Sequence, residues 1–212
     1  MKATVDSQVS AWNKVADQVH FTVPIDIAWL TSNISSNTRI LDYGCGYGRI
    51  GRMLADAGFL LVTGYDTSAG MIARGQAENP DLTLLRSDDA VLPDDSASFG
   101  VAIAAAVLTC LPDARDREAV IREIGRVLRP EGTLLLSEFL RDDRKSYDEN
   151  GCFLSDAGIQ MKHFLLAELE HELRDWNIQD YRLSKTLSLG GEEVPYVRIR
   201  CNRAVGRSAG AA

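Results

Sequence analysis

RILDYGCGYGRIG, residues 39–51, is the stretch whose reading decides the fold. Ile40, Leu41, Asp42 and Tyr43 have strand character and run straight into Gly44, Gly46 and Gly48, after which a helical pattern begins. A strand that ends in glycines and turns at once into a helix is built to cradle a ligand. Glycine admits φ > 0 and has no Cβ to hold a ligand off, while the first amides of the helix offer donors and a partial positive charge. Asp42 adds a carboxylate at the same strand end. That charge repels a phosphate and attracts a cation, so the expected ligand carries positive charge.

Downstream, a helix closed by Gly58 leads to LLVTGYD, an apolar strand ending at Asp66, and Ser68 is the expected N-cap of a helix from Ala69 to about Ala77. LTLLRSDD is a third strand ending in Asp88 and Asp89, SFGVAIAAAVL a fourth, and TLLLSEF a fifth. Between the last two, REAVIREIGRVL reads as a helix that stops at Arg129, because Pro130 disfavours helix in the residue before it and Gly132 permits the turn. Continuously apolar strands suit a parallel sheet buried on both faces. Strand–helix alternation of this kind places ligands outside the carboxyl ends of the strands, at the switch point, so Asp42, Asp66, Asp88 and the Ala105 region are expected to share one crevice.

Upstream, Val5–Val19 follows helical spacing, His20, Phe21 and Pro24 break it, and a second helix runs into TSNISSN. Trp12, Phe21 and Trp29 suit either core packing or a lid over a ligand. After Phe139, residues 141–160 read as a polar loop, His163 to Trp176 as a helix, and IQDYRLSKTLSL with VPYVRIRCN as a hairpin turning at Gly190 and Gly191. The expected division is a helical cap over residues 1–37, one domain over 38–203 and a disordered tail over 204–212.

The 212 residues are 45% hydrophobic and 25% charged, enough for one well-cored domain. A formal net charge of −7 without any block of Lys and Arg argues against a nucleic-acid duplex or an anionic membrane as partner. Cys45, Cys110, Cys152 and Cys201 are scattered with no CxxC pair, which points to reduced thiols in the cytoplasm and to no metal site. No apolar run reaches the ~18 residues of a membrane span.

Asp66 lies where a carboxylate accepts both hydroxyls of a ribose, whether in a dinucleotide or in an adenosyl compound. The glycine turn is ambiguous by itself. GCGYG has an acid two residues before it, but Gly46, Gly48 and Gly51 also satisfy the GxGxxG of nicotinamide enzymes. Asp42 before the first glycine, LRPEG before the fifth strand and the terminal hairpin break the tie, and over residues 38–203 the chain resembles the class I S-adenosylmethionine-dependent methyltransferases. The resemblance implies an α/β, Rossmann-like, doubly wound sheet of seven strands, mostly parallel with one antiparallel hairpin strand.

It also implies S-adenosyl-L-methionine as cofactor. LDYGCGYGR would supply Asp42, Tyr43, Gly44, Cys45, Gly46 and Arg49 around its methionine part. GYDTS would supply Asp66 for the ribose, with Thr67 and Met71 against the adenosine. RSDDAVLP would hold the adenine through Asp88 and the Asp89 amide, and Ala105 would complete the site at the fourth strand's end. Ser98, Phe99, Gly100 departs from the SFD frequent in relatives, at the strand end away from the site.

Ala104 to Cys110 lacks the acid-Pro-Pro-aromatic signature of amino-methylating DNA enzymes, the Pro-Cys of cytosine C5 enzymes and the acid of metal-dependent catechol enzymes. The reading that remains is an enzyme that methylates an O or N atom of a small molecule, mainly by binding and alignment, with room for a homodimer. His163 is the candidate base or orienting residue, and His20, Phe21, Phe139 and Arg141 are the candidates for touching the acceptor. A nicotinamide oxidoreductase and a non-catalytic adenosylmethionine-binding subunit are the alternative classes.

Overall fold

The computed structural model describes residues 5–87 and 91–203. The parallel strands β1 (Ile40–Tyr43), β2 (Val62–Asp66), β3 (Thr83–Arg86), β4 (Phe99–Ala105) and β5 (Leu128–Phe139) form one sheet with a C-terminal hairpin, β8 (Trp176–Leu187) and β9 (Glu193–Arg203). Its order is β3-β2-β1-β4-β5-β9-β8, with β9 antiparallel to both neighbours. The chain leaves β1 in one direction for β2 and β3, then returns to its other side for β4. The switch point therefore lies between β1 and β4, where Tyr43 is paired with Ala104.

Alternation along each strand feeds two cores. Leu41, Ala102, Leu134 and Leu136 pack with Val120, Ile124 and Val127 of α5 (Ala114–Val127) on one face. Ile40, Val101, Ile103 and Leu135 pack on the other with Leu30 of α2 (Ile27–Asn33) and Ile50 and Leu54 of α3 (Arg49–Asp56). Each fully buried aliphatic side chain contributes about 1.5–3 kcal/mol. Ser68 caps α4 (Ala69–Glu78) by accepting the Met71 amide at 3.2 Å, as its sequence implied.

Four local readings are corrected. α1 (Val5–Val15) stops a turn early, because Arg74 takes the carbonyls of Ala16 and Val19, each at 2.8 Å. The turn before the fifth strand's core is carried by Glu131 at φ +62° and not by Gly132, and it forms a break within β5. Residues 141–160 are not all loop: β6 (Cys152–Leu154) pairs with β7 (Gln160–Lys162), strands too short to show a period. The following helix, α6 (Leu166–Glu172), starts after His163, since the Phe164 carbonyl already accepts the Arg141 amide at 2.9 Å and is not free for a helical bond. Asp88, Asp89 and the tail 204–212 lie outside the described residues. Among the described residues no helix is long and apolar enough to cross a membrane.

Candidate active site

A cavity of about 870 Å³ opens at the carboxyl ends of β1, β2, β4 and β5. Its floor is the loop after β1, where Gly44 and Gly46 adopt φ +69° and +56°. A Cβ at Gly46 would come within 2.4 Å of Phe21, so backbone and ring meet only because the side chain is absent. Asp66 braces this loop: Oδ2 accepts the Gly46 amide and Oδ1 the Ser68 amide, each at 2.8 Å. Burial raises the Asp66 pKa and these amides oppose the rise. Of the candidates for the cofactor, Tyr43, Gly44, Cys45, Arg49, Asp66, Thr67, Met71 and Ala105 line the cavity, whereas Asp42 and Gly46 do not.

Asp42 lies beneath the loop, 1% exposed, with no hydrogen-bond partner for either carboxylate oxygen. Burial pushes its pKa up to about 7, the Arg49 charge offsetting part of the rise. Arg49 is itself held below its usual range by burial and has a buried Nε with no partner, while another of its nitrogens donates to the Val23 carbonyl. A carboxylate that is only partly compensated is costly in a protein interior and gains from a further cation that approaches. Both cavity thiols are raised by burial, Cys45 well above its ordinary value, and Cys110 lies 3.1 Å from the Ala106 carbonyl. Neither has the activated character of a nucleophile.

The N-terminal segment roofs the cavity. Gln8, Val9 and Trp12 of α1 line it together with Phe21 and Val23. α1 is fastened at both ends: Asn13 Oδ1 lies 2.7 Å from Ser68 Oγ and accepts the Gly70 amide at 3.0 Å, and the Gln8 amide group pairs with the Gln160 backbone at 2.7 and 3.1 Å. Phe21 stacks on Tyr47 with centroids 5.2 Å apart. Trp12 and Phe21 thus line the cavity, whereas Trp29 joins the lower core.

The remaining candidates separate. Phe139 lines the cavity; His20 is exposed and does not. Arg141 is paired with Glu168 at 3.0 Å and is not a lining residue. His163 does not reach the cavity either. It is 2% exposed, stacked on Phe139 with centroids 5.3 Å apart, its Nδ1 2.9 Å from the Tyr147 hydroxyl, and burial pushes its pKa down to about 4. Two supports escaped the sequence reading. Glu138, buried in β5, holds the turn after β4, and Glu123 with Arg126 clamps the amide and carbonyl of Leu92, a lining residue. The signal for Glu138 was an acid inside the apolar TLLLSEF.

Residues 40–132 match the profile of a family described as a methyltransferase domain. The crystal structure of a SAM-dependent methyltransferase from Methanosarcina mazei superposes with a TM-score of 0.78 at 26% identity, covering 84% of this chain and 97% of that one. Residues 40–132 carry a methyltransferase domain of the S-adenosylmethionine-dependent kind. The 27-O-demethylrifamycin SV methyltransferase of Amycolatopsis mediterranei is 37% identical over 113 residues, which are 50% of this chain and 40% of that protein. The chain spans about half or less of the length of the curated relatives it matches. A Burkholderia thailandensis 1,6-didemethyltoxoflavin-N1-methyltransferase, solved with its namesake ligand and S-adenosylhomocysteine, shares the fold at a TM-score of 0.65 and 19% identity, covering 84% of this chain and 76% of that one. The methyltransferase domain's cofactor is S-adenosylmethionine, and the residues present fit it: unpartnered Asp42 suits a sulfonium and an ammonium, and Asp66 suits a ribose diol.

Proposed function

We propose that the chain transfers a methyl group from S-adenosylmethionine to an O or N atom of a small molecule. The observation that carries this reading is the Asp42 carboxylate, buried without a hydrogen bond beneath the glycine loop that floors a cavity roofed by α1. When bound, the cofactor supplies an electrophilic methyl on a sulfonium. Asp66 holds the ribose with lone pairs left over from the Gly46 and Ser68 amides, the Gly44–Gly46 backbone and Arg49 surround the methionine part, and Thr67 and Met71 flank the adenosine. Asp88 and Asp89 are assigned to the adenine.

Phe21, Val23, Ala105 and Phe139 give the acceptor side an apolar wall. A cavity of ~870 Å³ falls within the range of about 300–1,000 Å³ typical of small-molecule sites, and its α1 roof is fastened at both ends. Alignment and exclusion of water are then the chain's main contribution. His163 serves as an orienting residue, from behind Phe139, and not as a base in contact with the acceptor. Four free cysteines accord with a reducing, cytoplasmic setting.

The deciding experiment is calorimetric titration with S-adenosylmethionine, S-adenosylhomocysteine and NADH, followed by an acceptor screen for methyl transfer. Binding of both adenosyl ligands, lost in Asp66→Ala, with silence towards NADH is the expected result. Binding of NADH alone would return the protein to the oxidoreductases. Adenosyl binding with no methylation across a broad acceptor panel would favour the non-catalytic subunit.

A further inference from the structure

Glu138, at the carboxyl end of β5, is fully buried, and neither the cofactor site nor the acceptor wall contains it. Its two oxygens accept three hydrogen bonds, all from the 3₁₀ turn Leu108–Cys110: the Leu108 amide at 2.9 Å, the Thr109 amide at 2.9 Å and the Thr109 hydroxyl at 2.8 Å. No Lys or Arg among the described residues pairs with it. A buried carboxylate is costly, and an apolar side chain of similar shape would suit the core better, so its place in β5 is explained by what it holds.

What it holds connects to the cofactor loop. The turn is entered through Ala106 at φ +57°, a left-handed conformation unusual for alanine, with the Ala106 amide donating to the Ser137 carbonyl at 2.7 Å. The next residue, Val107, occupies the space that a Cβ on Gly44 would need, 2.7 Å from its Cγ2. Ala106, Val107 and Cys110 line the cavity between the loop and Phe139. Glu138 thus reaches the first glycine of the loop through a single turn, without touching the cavity.

We propose that Glu138 is a positioning residue, fixing the 3₁₀ turn against Gly44 and so shaping the part of the site where the cofactor's methionine end meets the acceptor. This rests on the methyltransferase reading above. Its signature is selectivity along the cofactor: the amino-acid end depends on Glu138, and the adenosine end, held by Asp66, does not.

The test is calorimetric titration of the full chain with S-adenosylmethionine, S-adenosylhomocysteine and 5′-methylthioadenosine, which lacks the amino-acid part. Glu138→Gln keeps the shape but turns an NH₂ towards donors. It should weaken the first two ligands by about tenfold and 5′-methylthioadenosine by less than about twofold. Thr109→Val removes only the hydroxyl donor, leaves both amides paired, and should shift affinities the same way by about threefold. That variant decides the matter if Glu138→Gln does not fold. Equal weakening of all three ligands, or none, overturns the positioning role. Failure of the wild-type chain to bind any of them overturns the cofactor reading itself.

Discussion

The Asp66 carboxylate accepts the Gly46 amide at 2.8 Å, so the residue expected to hold the ribose also braces the loop expected to hold the methionine. Asp66→Ala therefore removes two things at once: the ribose acceptor and the partner of two buried amides. The expected outcome is a loss of S-adenosylhomocysteine affinity of more than about a hundredfold, together with destabilisation of about 1–3 kcal/mol. Calorimetry and urea unfolding read the two effects separately; full stability in the variant would mean that the loop does not depend on this bond.

Asp42 is the natural origin of pH dependence. Its folded pKa of about 7 lies above the unfolded value of about 4, so between those values the unfolded chain is ionised and the folded one is not. Stability accordingly falls as pH rises through that window, by up to ~4 kcal/mol. Asp42→Asn should flatten this slope, measured as urea midpoints at pH 5 and pH 8. With ligand present the sign reverses: S-adenosylmethionine, bearing a sulfonium, should gain affinity over S-adenosylhomocysteine as Asp42 ionises, and the variant should lose that discrimination.

Gly46→Ala meets both a positive φ and Phe21, whose ring carbon would lie 2.4 Å from the new Cβ. Alanine at such a site costs about 1–2 kcal/mol from the backbone alone. Relieving the clash with Phe21→Leu should recover only part of the thermal stability, because the dihedral strain stays. Complete recovery in the double variant would assign the whole effect to the ring.

The roof can be loosened without touching its apolar face. Arg74 caps the end of α1 through Ala16 and Val19 and lies over the Tyr47 ring, 3.9 Å from its centroid. In Arg74→Ala, hydrogen exchange over residues 8–19 should accelerate by about tenfold, with global unfolding little changed. S-adenosylhomocysteine should dissociate faster and restore protection when saturating. Unchanged exchange would mean that Asn13 and Gln8 fasten the helix by themselves.

His163 has the opposite titration from Asp42. Its folded pKa of about 4 lies below the unfolded ~6.5, so its contribution to stability is complete above pH ~6.5 and is lost as pH falls towards 4. His163→Phe keeps the stack on Phe139 and should reduce acid sensitivity between pH 6.5 and 4 by about 1–3 kcal/mol. If the variant also abolished methyl transfer without altering Phe139 or acceptor affinity, a direct chemical role would be indicated.

Much of this arrangement is legible in the chain because it is local. Apolar runs bounded by glycines determine the five parallel strands, the Gly44–Gly48 turn determines a loop with left-handed dihedrals, and Asp42 and Asp66 fall at strand ends by position alone. Two-residue periodicity could not show β6 and β7, three residues each, and helical spacing could not show that the Phe164 carbonyl was already committed to the Arg141 amide. The other decisions belong to contacts between distant segments: Gln8 with Gln160, Arg49 with Val23, Glu138 with Thr109. These decide which surface covers the cavity and why His163, promising in sequence, is walled off behind Phe139. A local pattern specifies which groups a segment offers; only packing decides which of them find a partner and which, like Asp42, stay without a hydrogen bond beneath the cavity floor.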